Sequence, residues 1–350
     1  MRLLWKLLVG LVITLAVLIT LNTITVGNDT KPAEVNVSGG QVLQLTGGDL
    51  QVLEDGPEGA PAVVLLHGWT GSISWWDRLR PLLARKYRVV SIDLLGHGGS
   101  EKPSNGYSMT NQAQLVAEAI HRLGHRSVTV VGHSMGAVVG TALAERSPQL
   151  VAGLVVVDQA PDDSYTQESL RRRASRTPVI GHTLWRAVPD SQFRDGLGVA
   201  FAEGFEDFPD RLVEDLRGMT YTAYTHSRDA SDGFRDQKPL DERLALTSIP
   251  LLVIFGEGDQ LVDPEGAEGF RDVPGAQIEI IEGAGHSPQF EKPEETARLI
   301  QDFVAPIVAA EVRAAREAKA RAKRKAAEER RAREAKQRAR QKARRKRAKR

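Results

Sequence analysis

The sequence predicts an α/β protein: a mostly parallel, eight-stranded sheet with helices on both faces, interrupted by one helical insertion. Three observations carry that prediction. Short apolar, β-branched runs alternate with helical stretches, the signature of strands buried on both faces. One such run, Ser127-Val128-Thr129-Val130-Val131, passes through the turn Gly132-His133-Ser134-Met135-Gly136 straight into a small-residue helix. The alternation then stops over residues 161–242, which are polar with scattered aromatics and hold no strand run, and resumes after them.

Taken in order, residues 42–45 and 50–53 predict a hairpin about Gly47-Gly48. Residues 61–66 predict a buried strand ending in His67-Gly68-Trp69, followed by a helix over 74–85 and a strand over 87–93. After a glycine-rich loop come a helix over 110–123, the strand 127–131, and a helix over 137–146 that stops at Ser147-Pro148. Residues 153–158 form the next strand. Beyond the insertion lie a strand over 250–255, a helix near Gly266, a strand over 277–281 and a helix over 294–304 that Pro306 should kink or end.

The chain of 350 residues has no cysteine, which excludes disulfides, thiolate nucleophiles and cysteine-ligated zinc. Its net charge of +2 conceals two different objects. Residues 311–350 carry 20 Lys+Arg against 5 Glu, a net of +15, while the rest of the chain is net −13. The domain plan is therefore an apolar segment 1–26, a polar linker 27–40, a globular body 41–305 and a basic tail 306–350.

At the N-terminus a short basic flank, with Arg2 and Lys6, precedes the uncharged apolar run 7–21. A bilayer core takes about 20 mostly apolar residues, and residues 3–26 supply that if Lys6 reaches the interface. A cleaved signal peptide has the same order, but residues 21–27 show no small-x-small cleavage site. The expectation is an uncleaved anchor with a cytoplasmic N-terminus and the body outside the cytoplasm; secretion after cleavage is the rival.

The tail has one aliphatic residue larger than alanine beyond Glu311, Val312, so it can bury no stripe. It reads as a solvated helix or a disordered cationic arm that binds polyanions: anionic lipid or envelope polymer outside the cell, nucleic acid only if the tail is cytoplasmic.

The chemistry centres on the turn at Ser134. A G-x-S-x-G sequence between strand and helix pushes its serine out at the tip of a sharp turn. It also sets the N–H of Met135 at a helix N-terminus, where backbone donors are free and the dipole favours an anion. A serine hydroxyl is a poor nucleophile until a base removes its proton, so a histidine and an orienting acid are expected elsewhere.

Five stretches, in order, resemble the α/β-hydrolase superfamily over roughly residues 40–305. They are His67-Gly68-Trp69, Asp93-Leu94-Leu95-Gly96-His97-Gly98-Gly99-Ser100, the turn 132–136, Gly256-Glu257-Gly258-Asp259 and Gly283-Ala284-Gly285-His286. The insertion 161–242 falls where that family carries its cap. The resemblance implies a Ser134 nucleophile, His286 as general base, Asp259 as the acid, and an oxyanion hole from the N–H groups of Trp69 and Met135. Asp158 is the rival acid, since some members of the fold place it after that strand. Asp263 reads as a helix cap and Asp93 as a brace of its own loop; His67 and His133 read as braces of the loop and the elbow. His97 reads as either a pocket residue or a loop brace. The Trp69 ring is expected as a substrate-binding wall, and Arg171-Arg172-Arg173 as a solvated face.

No metal site or cofactor is implied, and no glycine-rich stretch follows a nucleotide-binding pattern. The expected function is hydrolysis of a carboxylic ester, a small molecule or a lipid, through an acyl-enzyme. A non-catalytic binding module with a hydrolase fold, or a cofactor-free perhydrolase or C–C hydrolase with the same triad, is the alternative. Haloalkane dehalogenase and epoxide hydrolase chemistry is disfavoured because those relatives carry Asp where this chain has Ser134.

Overall fold

The computed structural model describes residues 2–167, 176–177, 181–182, 185 and 188–347, so the arginine run 171–173 lies outside the described residues. The chain divides into two units, Met1–Gln301 and Asp302–Arg350.

The first unit is built on eight strands: β1 (Gln41–Leu43), β2 (Leu50–Asp55), β3 (Ala62–Leu66), β4 (Arg88–Ile92), β5 (Val128–His133), β6 (Val151–Val157), β7 (Leu251–Gly256) and β8 (Gln277–Ile281). They form one sheet in the order β1-β2-β4-β3-β5-β6-β7-β8. The β1–β2 and β2–β4 pairs are antiparallel and the rest parallel. Every residue of β3, β5 and β7 is buried, as expected of strands in a sheet with helices packed on it. At roughly 1.5–3 kcal/mol per buried Val, Leu or Ile side chain, these central strands hold the body together.

Helices α1 (Arg2–Gly27), α2 (Arg80–Leu83), α3 (Met109–Arg122) and α4 (Met135–Arg146) precede the insertion. Ser108 caps α3 by accepting the N–H of Asn111 at 3.2 Å, and Met109, Gln112, Ala113, Val116 and Ile120 make its buried face. The helix expected over 74–85 is instead a 3-10 turn, Ile73–Trp76, followed by the short α2. Pro81 is the reason: it has no N–H to continue a ladder and is accepted only in a first turn, so the helix restarts around it.

The insertion is helical where it is described: α5 (Asp190–Gly198), α6 (Arg211–Gly218), α7 (Tyr221–Gln237) and α8 (Leu240–Leu244). Among its described residues, its one β contact is the bridge between Thr166 and Val262. The helix expected near Gly266 is a 3-10 segment, Pro264–Phe270, capped by Asp263 through the N–H of Glu265. Two helices follow β8: α9 (Pro288–Glu291) and α10 (Pro293–Arg347).

Pro306 does not end the last helix, which continues on both sides of it. The flanking alanines and charged residues are strong helix formers and carry the ladder past the missing N–H. The second unit is thus helical over its described residues, with side chains exposed from Glu311 to Arg331 and an Arg330–Glu334 pair at 2.9 Å.

Residues Leu4–Gly27 of α1 are long and apolar enough to cross a membrane, with a mean hydropathy of 2.5, and the most apolar stretch buries nothing within the protein. Three of its four threonines hide their hydroxyls: Thr14, Thr20 and Thr25 each donate to the carbonyl four residues back, at 2.9, 2.8 and 2.8 Å. Only its C-terminal end is packed. Val26 is buried, Asn22 donates to the carbonyl of His182 at 2.9 Å, and Thr222 of α7 donates to the carbonyl of Gly27 at 3.0 Å. The polar segment after it runs along the body, where Lys31 pairs with Lys102 and the N–H of Glu34 donates to Gly99 at 2.8 Å.

Candidate active site

β5 delivers Ser134 with φ 49° and ψ −121°, a left-handed backbone that a non-glycine residue adopts only when its surroundings force it. The forcing is visible on both sides of the turn. The N–H of Ser134 donates to the carbonyl of Val157 at 2.8 Å, and its own carbonyl accepts from Ala137 at 2.8 Å. Gly132 and Gly136 make the crossing possible. A Cβ on Gly132 would lie 2.5 Å from the backbone of Ala137, and one on Gly136 would collide with the carbonyl of Leu66. Met135 opens α4, so its N–H is among those a helix N-terminus leaves without an intrahelical partner.

Asp259 stands just past β7 and His286 in the loop past β8. The ring Nδ1 of His286 lies 2.7 Å from Oδ2 of Asp259, and both side chains are buried. The other oxygen of Asp259 accepts the N–H groups of Leu261 at 2.7 Å and Val262 at 3.1 Å. With Nδ1–H donated to the carboxylate, Nε2 is the free acceptor of the imidazole. Ser134 and His286 line one cavity, together with Trp69, Trp75, Arg228 and Arg235. All five residues singled out in the sequence therefore cluster at the C-terminal ends of β3, β5, β7 and β8.

Trp69 donates its indole N–H to the carbonyl of Tyr224 at 2.8 Å, and its ring packs on that tyrosine with centroids 4.6 Å apart. It is a wall of the cavity, held from the cap. Thr70 beside it has φ 64°, an outlying backbone for a β-branched residue. His67 braces this loop. Its Nδ1 donates to the carbonyl of Gly68 at 2.8 Å and its Nε2 accepts the N–H of Leu94 at 3.0 Å. Burial pulls its pKa down to about 4, so it is neutral near pH 7. Asp93 accepts from Ile73 at 2.7 Å and Gly99 at 2.8 Å, which ties two loops together. His97 is buried with Nδ1 3.2 Å from the carbonyl of Leu95, a loop brace outside the cavity lining.

Two contributors escape a reading of the sequence. Trp75 stacks between His133 and Phe201, at 5.9 and 5.8 Å between centroids, and joins elbow to cap. Glu291 accepts three N–H groups, from Ala202 of the cap at 2.7 Å and from Gly285 and Ser287 of the histidine loop at 3.0 and 3.2 Å. It stands four residues after Ser287, one beyond the spacing of a capping box, so no local pattern marks it. Asp158, the rival acid, is buried beside Asp259 rather than in its place. One oxygen of Asp158, one of Asp259 and a ring nitrogen of His286 lie within 4.8 Å of one another.

A sheet of this order, with a serine on a strained turn and a histidine–carboxylate pair on later strands, defines an α/β hydrolase. The chain belongs to the family described as the alpha/beta hydrolase fold, matched over residues 61–293. A Bacillus subtilis (strain 168) protein with the provisional name 2-succinyl-6-hydroxy-2,4-cyclohexadiene-1-carboxylate synthase is 31% identical over 270 residues, 73% of this chain and 94% of that protein. Human monoacylglycerol lipase ABHD6 is 24% identical over 266 residues, covering 72% of this chain and 77% of the lipase. A crystal structure of a membrane phospholipase A, described as a bacterial virulence factor, superposes with a TM-score of 0.64 at 25% identity, over 87% of this chain and 98% of the other. Its relatives thus include lipases.

Proposed function

We propose that the protein is a serine hydrolase that cleaves carboxylic esters through Ser134, His286 and Asp259. The observation that carries this reading is the pairing of His286 Nδ1 with Asp259 at 2.7 Å in the same cavity as a serine held at φ 49°. Ser134 Oγ attacks the ester carbonyl carbon while Nε2 of His286 takes its proton. The oxyanion forms against the N–H groups of Trp69 and Met135. Collapse expels the alcohol, which receives the proton from His286. Water then repeats the sequence on the acyl-enzyme: His286 deprotonates it, the acid departs, and Ser134 regains its hydrogen. The carboxylate of Asp259 keeps the ring in the required tautomer and stabilises the imidazolium. No cofactor is needed.

The substrate class that fits best is a lipid or other apolar ester, supported by the aromatic walls of the cavity and by the lipase relatives. Helix α1 acts as a membrane anchor with the body outside the cytoplasm, and the cationic tail attaches to an anionic lipid or envelope surface. The synthase name of the Bacillus relative favours a second reading, carbon-skeleton chemistry with the same three residues. Turnover of p-nitrophenyl esters of rising acyl length separates them. Saturable hydrolysis lost in Ser134→Ala is the expected result, and no hydrolysis at any chain length would favour the second reading.

A further inference from the structure

Asp158 follows β6 directly and is fully buried, with φ 47°, a backbone that carries a strain penalty. Its N–H donates to the carbonyl of Ile254 at 2.9 Å, and its Oδ1 accepts the N–H of Gly256 at 2.8 Å. The residue is thus clamped to the neighbouring strand, and its carboxyl cannot swing away. Its other oxygen, Oδ2, is buried and meets no donor. The Asp158 carboxyl lies beside that of Asp259, with one oxygen of each within 4.8 Å.

Two ionised carboxylates cannot share a dry site, so one of the pair holds a proton. The donors decide which. Asp259 receives three donors, the N–H groups of Leu261 and Val262 and the ring N–H of His286. Asp158 receives one. Burial and the Asp259 charge push the Asp158 carboxyl well above the usual carboxylate range, and the nearby Glu291 pushes it the same way.

We propose that Asp158 is a positioning residue of the triad: as a neutral acid it donates from Oδ2 to Asp259 and fixes the carboxylate that orients His286. The acid of this site is then a carboxyl–carboxylate pair supplied by two adjacent strands. This rests on the assignment of Asp259 under the proposed function.

The groups that face Asp158 are Asp259, His286 and Glu291, and the pH behaviour follows from them. The folded protein holds a proton on Asp158 that the unfolded chain releases in the ordinary carboxylate range. This contribution to stability is therefore fully present below that range and is lost as pH rises through the raised folded value.

The test compares full-length Asp158→Asn, Asp158→Ala and Asp259→Asn. Asparagine keeps an N–H donor toward Asp259 and an acceptor for Gly256, so Asp158→Asn should hold kcat within about threefold of the parent. Its Tm should also fall less between pH 5 and pH 9 than the parent's. Asp158→Ala should lose ten- to a hundredfold in kcat with KM little changed, and the acid limb of its pH profile should move. Loss in Asp158→Asn as deep as in Asp259→Asn would make Asp158 the ionised acid and overturn the proposal. So would an Asp158→Ala enzyme with parental kcat and pH profile. If the alanine variant does not fold, infrared spectroscopy decides on the parent at neutral pH. A buried carboxylic C=O band that Asp158→Asn abolishes is expected, and its absence overturns the proposal. Because that band does not depend on turnover, it separates failure here from a failure of the esterase reading.

Discussion

The ring Nε2 of His133 lies 2.6 Å from the carbonyl oxygen of His286, so the residue just before the nucleophile holds the loop that carries the base. The two imidazoles are also in contact, with centroids 4.9 Å apart. A single side chain thereby couples the elbow after β5 to the loop after β8. His133→Ala should leave the fold intact but lower kcat by about 10²-fold, since a displacement near 1 Å at a reacting group costs that much. Steady-state kinetics with far-ultraviolet circular dichroism on the same samples checks it.

Asp259→Asn should lower kcat by about 10⁴-fold while the protein stays folded, because the amide cannot hold the imidazole in its productive tautomer or stabilise its charged form. Asp158→Asn should cost far less. Measuring both variants on one ester fixes the ranking, and a reversed ranking would move the acid to the end of β6.

Gly136 sits where α4 crosses the end of β3, with no room for a methyl group. Gly136→Ala should destabilise the body by about 1–3 kcal/mol, the range for overpacking a filled interior. It should also reduce turnover, because the turn that presents Ser134 must shift. Chemical denaturation midpoints give the first quantity.

The two ends of the chain should act on location and not on chemistry. Protein lacking residues 1–30 should leave the membrane fraction yet bind anionic vesicles at low salt through the basic tail, at about 1 kcal/mol for each basic residue near the surface. Raising the salt from 0.1 M to 1 M shortens the screening length from about 10 Å to 3 Å and should release it. Removing residues 311–350 as well should abolish vesicle binding and preserve ester hydrolysis. External protease on intact cells should remove a tag placed after Arg350; a tag cut only after permeabilisation would put the tail in the cytoplasm.

The sheet and the elbow were legible because their signals are local. β5, the turn and α4 are contiguous, and the short continuous apolar runs mark the buried strands directly. Asp259 and His286 were singled out by the family resemblance, each in a stretch after a strand, and their side chains meet at 2.7 Å. What the sequence hid depends on which strands are neighbours. Asp158 reads as a competitor of Asp259, but β6 lies next to β7, so the two carboxyls end side by side. The packing of the end of α1 on α7 hid for the same reason, since nothing local links Gly27 to Thr222. The helix over 74–85 failed on a local rule, the proline at 81, which outweighed the helical pattern around it.

The central claim is that Ser134 is a nucleophile activated by His286. Its most direct test is the intact mass and peptide map of the full-length protein after exposure to a fluorophosphonate. One phosphonyl adduct on the peptide carrying Ser134, absent in Ser134→Ala and formed at least 10³-fold more slowly in His286→Ala, is the predicted result. A parent protein left unlabelled, or labelled at another serine while esters are still hydrolysed, would contradict it.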